Sequence, residues 1–141
     1  MLTELFLRQC HRKMFGAVWA WAGSFRKTEK NIGVPVRAIA VEMKKLCDDT
    51  AFWIQNQTFP KDEIAARFHH RLTWIHPFPN GNGRHARLMT DRLLKVMLKE
   101  PGFTWGASDL AQGNSVRKRY ILALKSADGG DFKPLLDFVR T

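Results

Sequence analysis

Pro77, Pro79, Gly81 and Gly83 fall within seven residues of one another, inside the stretch WIHPFPNGNGRHARL from Trp74 to Leu88. An apolar helical stripe runs into each side of that stretch. Ile64, Phe68, Leu72 and Ile75 precede it, and Ala86, Met89, Leu93 and Val96/Met97 follow it, both at the period of a helix with one buried face. Pro77 disfavours helical geometry in the residue before it, so the first of these helices ends near His76. Two central helices must therefore meet through a loop that carries a histidine, small turn residues and two arginines. A plain connection between helices needs only a few residues and no particular chemistry.

The remaining chain reads as further helices around this pair. Phe6, Cys10, Met14, Ala17 and Trp21 are spaced for an amphipathic first helix stopped by Gly23. The chain begins almost at the first turn of that helix, as a domain trimmed from something longer would. The helical period is lost in SFRKTEKNIGVP, where Asn31, Gly33 and Pro35 are turn signals; a loop or short β-hairpin is expected over approximately 24–36. Val36, Ile39/Ala40, Met43, Leu46/Cys47 and Trp53/Ile54 restore the period in a long second helix interrupted by Pro60. Pro101 and Gly102 close the fourth helix. Val116, Tyr120 and Leu124 mark a fifth, and Phe132, Leu135, Leu136 and Val139 a short sixth. The expected fold is all-α, about six helices with a short β-hairpin flap before the second long helix, in a single domain over 1–141.

Composition narrows the class. Hydrophobic residues make up 45%, and ten Phe and five Trp provide bulky filling for a core. No apolar run is long enough to span a membrane, and the N-terminus has no signal-peptide pattern. Cys10 and Cys47 cannot build a disulfide framework; two buried free thiols fit a reducing compartment, so the cytoplasm is the expected location. The formal charge of +10 favours acidic partners, which include nucleotides, nucleic acid and acidic proteins.

The loop has chemistry of its own. Gly81 and Gly83 flank Asn82, so the backbone can turn through left-handed angles and aim successive N–H groups into one concavity. A following helix adds unpaired N–H groups and the positive end of its dipole, which makes the turn an anion site. Arg84 and Arg87, three residues apart, share a face in what reads as the first turn of that helix. First-turn arginines oppose the dipole, a cost that a bound polyanion would reverse. His76, across the loop, is the side chain most easily poised to take a proton near neutral pH. Phe78 reads as an apolar plug under the loop. Asn80 is free to make hydrogen bonds or to offer its carbonyl oxygen to a metal. No Gly-Lys-Ser/Thr follows, which excludes a Walker loop.

HPFPNGNGRHAR resembles the signature of the Fic (Fic/Doc) family, His-x-Phe-x-acidic-Gly-Asn-Gly-Arg-x-x-Arg, with only the acidic position changed. The resemblance extends to the helix order and to FRKTEKNIG, which falls where family members carry a flap. It implies transfer of AMP from ATP to a Ser, Thr or Tyr hydroxyl of a target protein. His76 would be the base, and Phe78 the buried anchor. Gly81, Asn82 and Gly83 would hold the α- and β-phosphates. Arg84 would hold the triphosphate and leaving pyrophosphate, and Arg87 the γ-phosphate or an inhibitory glutamate. The family position for a Mg²⁺-holding carboxylate is Asn80, whose neutral oxygen suits a hard cation less well. Asn31, Ile32 and Gly33 would form the edge that docks the target. No inhibitory Ser/Thr-x-x-x-Glu-Gly/Asn pattern occurs in the sequence, so restraint is expected from a preceding N-terminal segment or an antitoxin-like partner, in a bacterial, toxin-like setting.

Two other classes use the same residues. A catalytically impaired interaction module, which Asn80 favours, would bind a partner through the flap and leave no covalent product. A basic ribonuclease or nucleic-acid-binding toxin would show salt-dependent nucleic-acid affinity; no exposed basic-aromatic platform supports it. Zinc is disfavoured, since His69, His70, His76 and His85 come with no HExxH motif or cysteine pair.

Overall fold

A computed structural model describes residues 2–107 and 113–141. Six α-helices occur among them: α1 Glu4–Phe15, α2 Ile39–Asn56, α3 Lys61–Ile75, α4 Asn82–Arg92, α5 Gly113–Asp128 and α6 Lys133–Val139. A 3₁₀ turn, Val36–Ala38, leads into α2, and a π-helical segment, Leu93–Leu98, continues α4. None of these helices is long and apolar enough to cross a membrane.

The central helix is α3, which packs against α2, α4, α5 and α6. Pro60 precedes its first residue and Asp62 and Glu63 occupy its first turn, where acidic side chains complement the helix dipole. Its stripe of Ile64, Phe68, Leu72 and Ile75 is fully enclosed, together with Met43 and Leu46 of α2, Ala86 and Met89 of α4, and Leu135 and Val139 of α6. Burying a side chain of this size contributes roughly 1.5–3 kcal/mol each. The core thus fixes where the last residue of α3 and the first residues of α4 lie, which are the two ends of the loop.

The β-hairpin expected over 24–36 is not formed: no strand occurs there, nor anywhere among the described residues. The hydrogen bonds of this segment go elsewhere. Arg26 N–H donates to the Pro77 carbonyl at 2.8 Å, and Val34 N–H to the Ile75 carbonyl at 3.2 Å. The Val36 N–H is taken by the Glu29 carboxylate at 2.9 Å, and Pro35 has no N–H to give. A segment that spends its donors on α3 and the loop has no ladder to share with itself.

The first helix is also shorter than its apolar spacing suggests. It ends at Phe15, and Val18 N–H and Trp19 N–H both donate to the Phe15 carbonyl. The chain then runs through successive turns to Gly23, with Trp19 and Trp21 stacked 4.7 Å apart. The buried face of α1 is Leu7, His11 and Phe15, one residue along from the expected stripe. Cys10 and Cys47 are free thiols, and burial raises the pKa of Cys47 to about 11.

Candidate active site

The loop between α3 and α4 is built on Phe78. Its ring is fully buried, stacked on His11 at 3.8 Å and met edge-on by His85 at 5.1 Å. Asn82 ties the same residue down by its backbone: Phe78 N–H donates to Asn82 Oδ1 at 2.9 Å, and Asn82 Nδ2 donates to the Phe78 carbonyl at 2.8 Å. The Asn82 side chain is consumed by this clamp, so only its main chain is free to face a ligand. His11 holds the loop from below. Gly23 N–H donates to its Nδ1, which leaves Nε2–H to donate to the Asn80 carbonyl at 3.0 Å.

Helix α4 starts at Asn82, inside the glycine turn, with Gly81 in the left-handed region at φ 78° as its N-cap. A Cβ at Gly81 would stand 2.7 Å from the Phe15 ring, so the turn and the packing below it both require glycine. The first intrahelical bond is His85 N–H to the Gly81 carbonyl. The N–H groups of Asn82, Gly83 and Arg84 therefore end the helix with no partner inside it. They open into a cavity of about 680 Å³ whose wall includes His76, Gly83, Arg84, Arg87, Arg117 and Lys125. Because α4 starts at Asn82, Arg84 lies in its first turn and Arg87 in its second. The exposed Arg84 guanidinium lies over the Phe15 ring at 4.7 Å, and that of Arg87 over the Tyr120 ring at 5.7 Å.

His76 faces the same cavity. It caps α3 in the left-handed region, φ 53° and ψ 61°, a conformation that costs a non-glycine residue roughly 1–2 kcal/mol. Pro77 explains why the helix cannot simply continue, and Arg26 explains what holds the strained residue. The Arg26 side chain is 2% exposed. Its Nε donates to the His76 carbonyl, its Nη2 to the Val34 and Ile75 carbonyls, and its Nη1 to the Thr28 carbonyl. Each such charge-assisted bond contributes roughly 1.5–3 kcal/mol. Burial, then the positive charges of Arg26 and Lys30, lower the His76 pKa below its usual value. The imidazole is thus neutral at physiological pH and able to accept a proton. Gly33 packs directly beside it; a Cβ there would stand 2.7 Å from the His76 Cβ. Ile32, 63% exposed, and Gly33 line the same cavity, while Asn31 is exposed but is not among its lining residues.

Among the described residues, the side chains around this loop do not make a metal site. Asn80 Oδ1 is turned back onto the Gly81 N–H at 2.7 Å. Among the described residues no group of three His, Cys, Asp or Glu side chains could hold a metal ion. The other histidines of this region have protein partners: His69 bonds Thr90 and Tyr120, His70 bonds Asp128, and His85 bonds the Leu7 carbonyl.

A model of the Fic/DOC family matches residues 1–94. The chain belongs to the Fic/DOC family. A protein adenylyltransferase Fic of Drosophila grimshawi is 29% identical over 142 residues, covering 98% of this chain and 28% of the relative. One of Nematostella vectensis is 29% identical over 135 residues, covering 93% of this chain and 30% of the relative. The chain thus spans under a third of the length of these curated relatives. Fic-1 (aa134–508) of C. elegans superposes with a TM-score of 0.74 at 25% identity, over 98% of this chain and 39% of that one. The BepC protein of Bartonella tribocorum, solved with bound AMPPNP, shares the fold with a TM-score of 0.71 at 23% identity, over 99% and 73% of the two chains.

Three residues packed around this site carry little or no mark in the sequence. Arg26 sits beside the exposed Lys27 and Lys30 in FRKTEK, and nothing there distinguishes the one that is buried. His11 is four residues from both Leu7 and Phe15, so the signal was a polar residue on an apolar face. Tyr120 reads as part of the α5 stripe, yet its hydroxyl meets His69 at 2.7 Å.

Proposed function

We propose that this chain is a protein nucleotidyltransferase that moves AMP from ATP to a Ser, Thr or Tyr hydroxyl of a target protein. The observation that carries the reading is the shared cavity: a neutral histidine on one wall, and on the other an open helix N-terminus with Arg84 and Arg87. The names of the adenylyltransferase relatives support it. The α- and β-phosphates rest against the N–H groups of Asn82, Gly83 and Arg84, which already point at the negative charge they must stabilise. His76 takes the proton of the target hydroxyl as its oxygen attacks the α-phosphorus. The bond to the β-phosphate oxygen breaks, and pyrophosphate leaves with its charge balanced by Arg84 and Arg87. Mg²⁺ is the usual companion of ATP, but the side-chain donors here do not form a site for it, and no step above depends on one.

The target docks along the exposed stretch containing Asn31, Ile32 and Gly33, next to His76. An extended segment laid there by main-chain hydrogen bonds would bring its hydroxyl to the base. Restraint of the site comes from an inhibitory segment or partner that engages Arg87. The test is intact-mass spectrometry of candidate targets and of the chain itself after incubation with ATP. A gain of one AMP, absent with His76→Ala, supports the reading. No gain with ATP, UTP, CTP, GTP or CDP-choline would favour the interaction module instead, a reading to which Asn80 gives some support.

A further inference from the structure

Beside Arg87 runs a chain of hydrogen bonds, Thr90 to His69 to Tyr120, whose direction can be worked out atom by atom. The Thr90 hydroxyl donates to the Ala86 carbonyl at 2.7 Å, the bond that ties it to its own helix. Its single proton is then spent, so toward His69 Nδ1, 3.1 Å away, it can only accept. His69 therefore carries its proton on Nδ1 and presents a bare Nε2. Full burial lowers its pKa to about 3, which excludes a second proton at working pH. Across from Nε2, at 2.7 Å, lies the Tyr120 hydroxyl, and it must donate. What remains on that oxygen is lone-pair density, and the cation nearest to use it is Arg87, whose guanidinium carbon lies 5.7 Å from the Tyr120 ring centre and which lines the same cavity.

The ring that carries this oxygen is itself fixed. Trp105 meets Tyr120 edge-on at 6.4 Å and Phe138 lies 5.7 Å away, while the Arg87 guanidinium carbon is 5.7 Å from the ring centre. The acceptor thus has a set position and a set polarity, decided on α3 and α4 and delivered from α5. Tyr120 lies outside the residues matched by the family model.

We propose that Tyr120, oriented by His69 and Thr90, is a positioning residue for Arg87, and that it holds the guanidinium ready for the distal phosphates of a nucleoside triphosphate. The geometry stands on the Thr90–His69–Tyr120 hydrogen bonds and on the approach of Arg87 to the Tyr120 ring; the ligand rests on the function proposed above. An arginine free to sample several rotamers must be ordered when phosphate binds. One held in advance is not, which is a gain of a few-fold to about tenfold in affinity for one long side chain.

The experiment is calorimetric titration of the chain with ATP and with inorganic tripolyphosphate, for the wild type, Tyr120→Phe, Arg87→Ala and the double variant. Tyr120→Phe keeps the ring and removes only the oxygen. It leaves the buried His69 Nε2 unpaired, so it is expected to stay folded but melt several degrees lower, and to bind both ligands about tenfold more weakly, with the double variant binding no more weakly than Arg87→Ala alone. Unchanged affinity in Tyr120→Phe, or losses that add in the double variant, would overturn the proposal while leaving the transferase reading in place. Failure of the wild type to bind either ligand would overturn both. The Nε–H NMR signal of Arg87 gives a reading that needs no ligand: ordered in the wild type and mobile in Tyr120→Phe, with equal order in the two counting against the proposal.

Discussion

Acid should loosen this protein well before its carboxylates titrate. His69 and His85 are completely buried and neutral, and burial lowers their pKa values to about 3 and about 4. In the unfolded chain each returns to about 6.5. Unfolding therefore takes up protons, and stability is full above about pH 6.5 and falls as the pH drops toward the folded values. At pH 5 each histidine favours the unfolded chain by about 2 kcal/mol, so the pair removes about 4 kcal/mol. Lowered values at His11 and His76 add to this in the same direction. Set against a typical stability of about 5–15 kcal/mol, that is a large share, and for a domain of this size it corresponds to roughly 10–15 °C in Tm. Calorimetric melts at pH 7.5, 6.5, 5.5 and 5.0 at constant ionic strength would measure it. Unfolded Asp and Glu titrate near about 4, so the window above pH 5 belongs mainly to the histidines. A Tm constant to within two or three degrees from pH 7.5 to 5.0 would refute the reasoning, because it would require His69 and His85 to be protonated or accessible in the native state.

Three further outcomes follow from the same contacts. Phe78→Ala empties the space between His11 and His85 and should destabilise the fold by about 3–5 kcal/mol, measured by urea unfolding; a loss under about 1 kcal/mol would mean the loop is not anchored there. Arg26→Met removes a positive charge beside His76, so the His76 pKa should rise toward its unperturbed value and the acid limb of the transfer rate should move to higher pH, while Tm falls; an unmoved limb would show that Arg26 does not act on the base. Asn80→Asp supplies the missing carboxylate, and calorimetry in the presence of a non-hydrolysable ATP analogue should show tighter Mg²⁺ binding than in the wild type, with equal binding arguing that this position does not face the cation.

The helices were legible because apolar spacing reports a buried face directly. Ile64, Phe68, Leu72 and Ile75 do in the structure what their period predicts. The residues of the loop were legible for a different reason: His76 to Arg87 are contiguous, so their register is fixed by the chain itself. The hairpin was misread because Asn31, Gly33 and Pro35 signal a turn without saying where its donors go, and here they go to Ile75 and Pro77. The end of α1 was misread because Trp21 continues the apolar spacing, although Trp19 and Trp21 pack on each other in turns. Arg26, His11 and Tyr120 act on residues 50, 69 and 51 positions away. No local pattern encodes such a contact; it exists only once α3 has been enclosed by its neighbours.

The central claim is that His76 and the N-terminus of α4 face one triphosphate. It is tested most directly by following backbone amide and imidazole NMR signals during titration with a non-hydrolysable ATP analogue. The account predicts that Asn82, Gly83, Arg84 and His76 shift together, saturating at one ligand concentration, and that Arg84→Ala weakens all four responses alike. Shifts confined to another face of the protein, or none at these residues at saturating ligand, would contradict it.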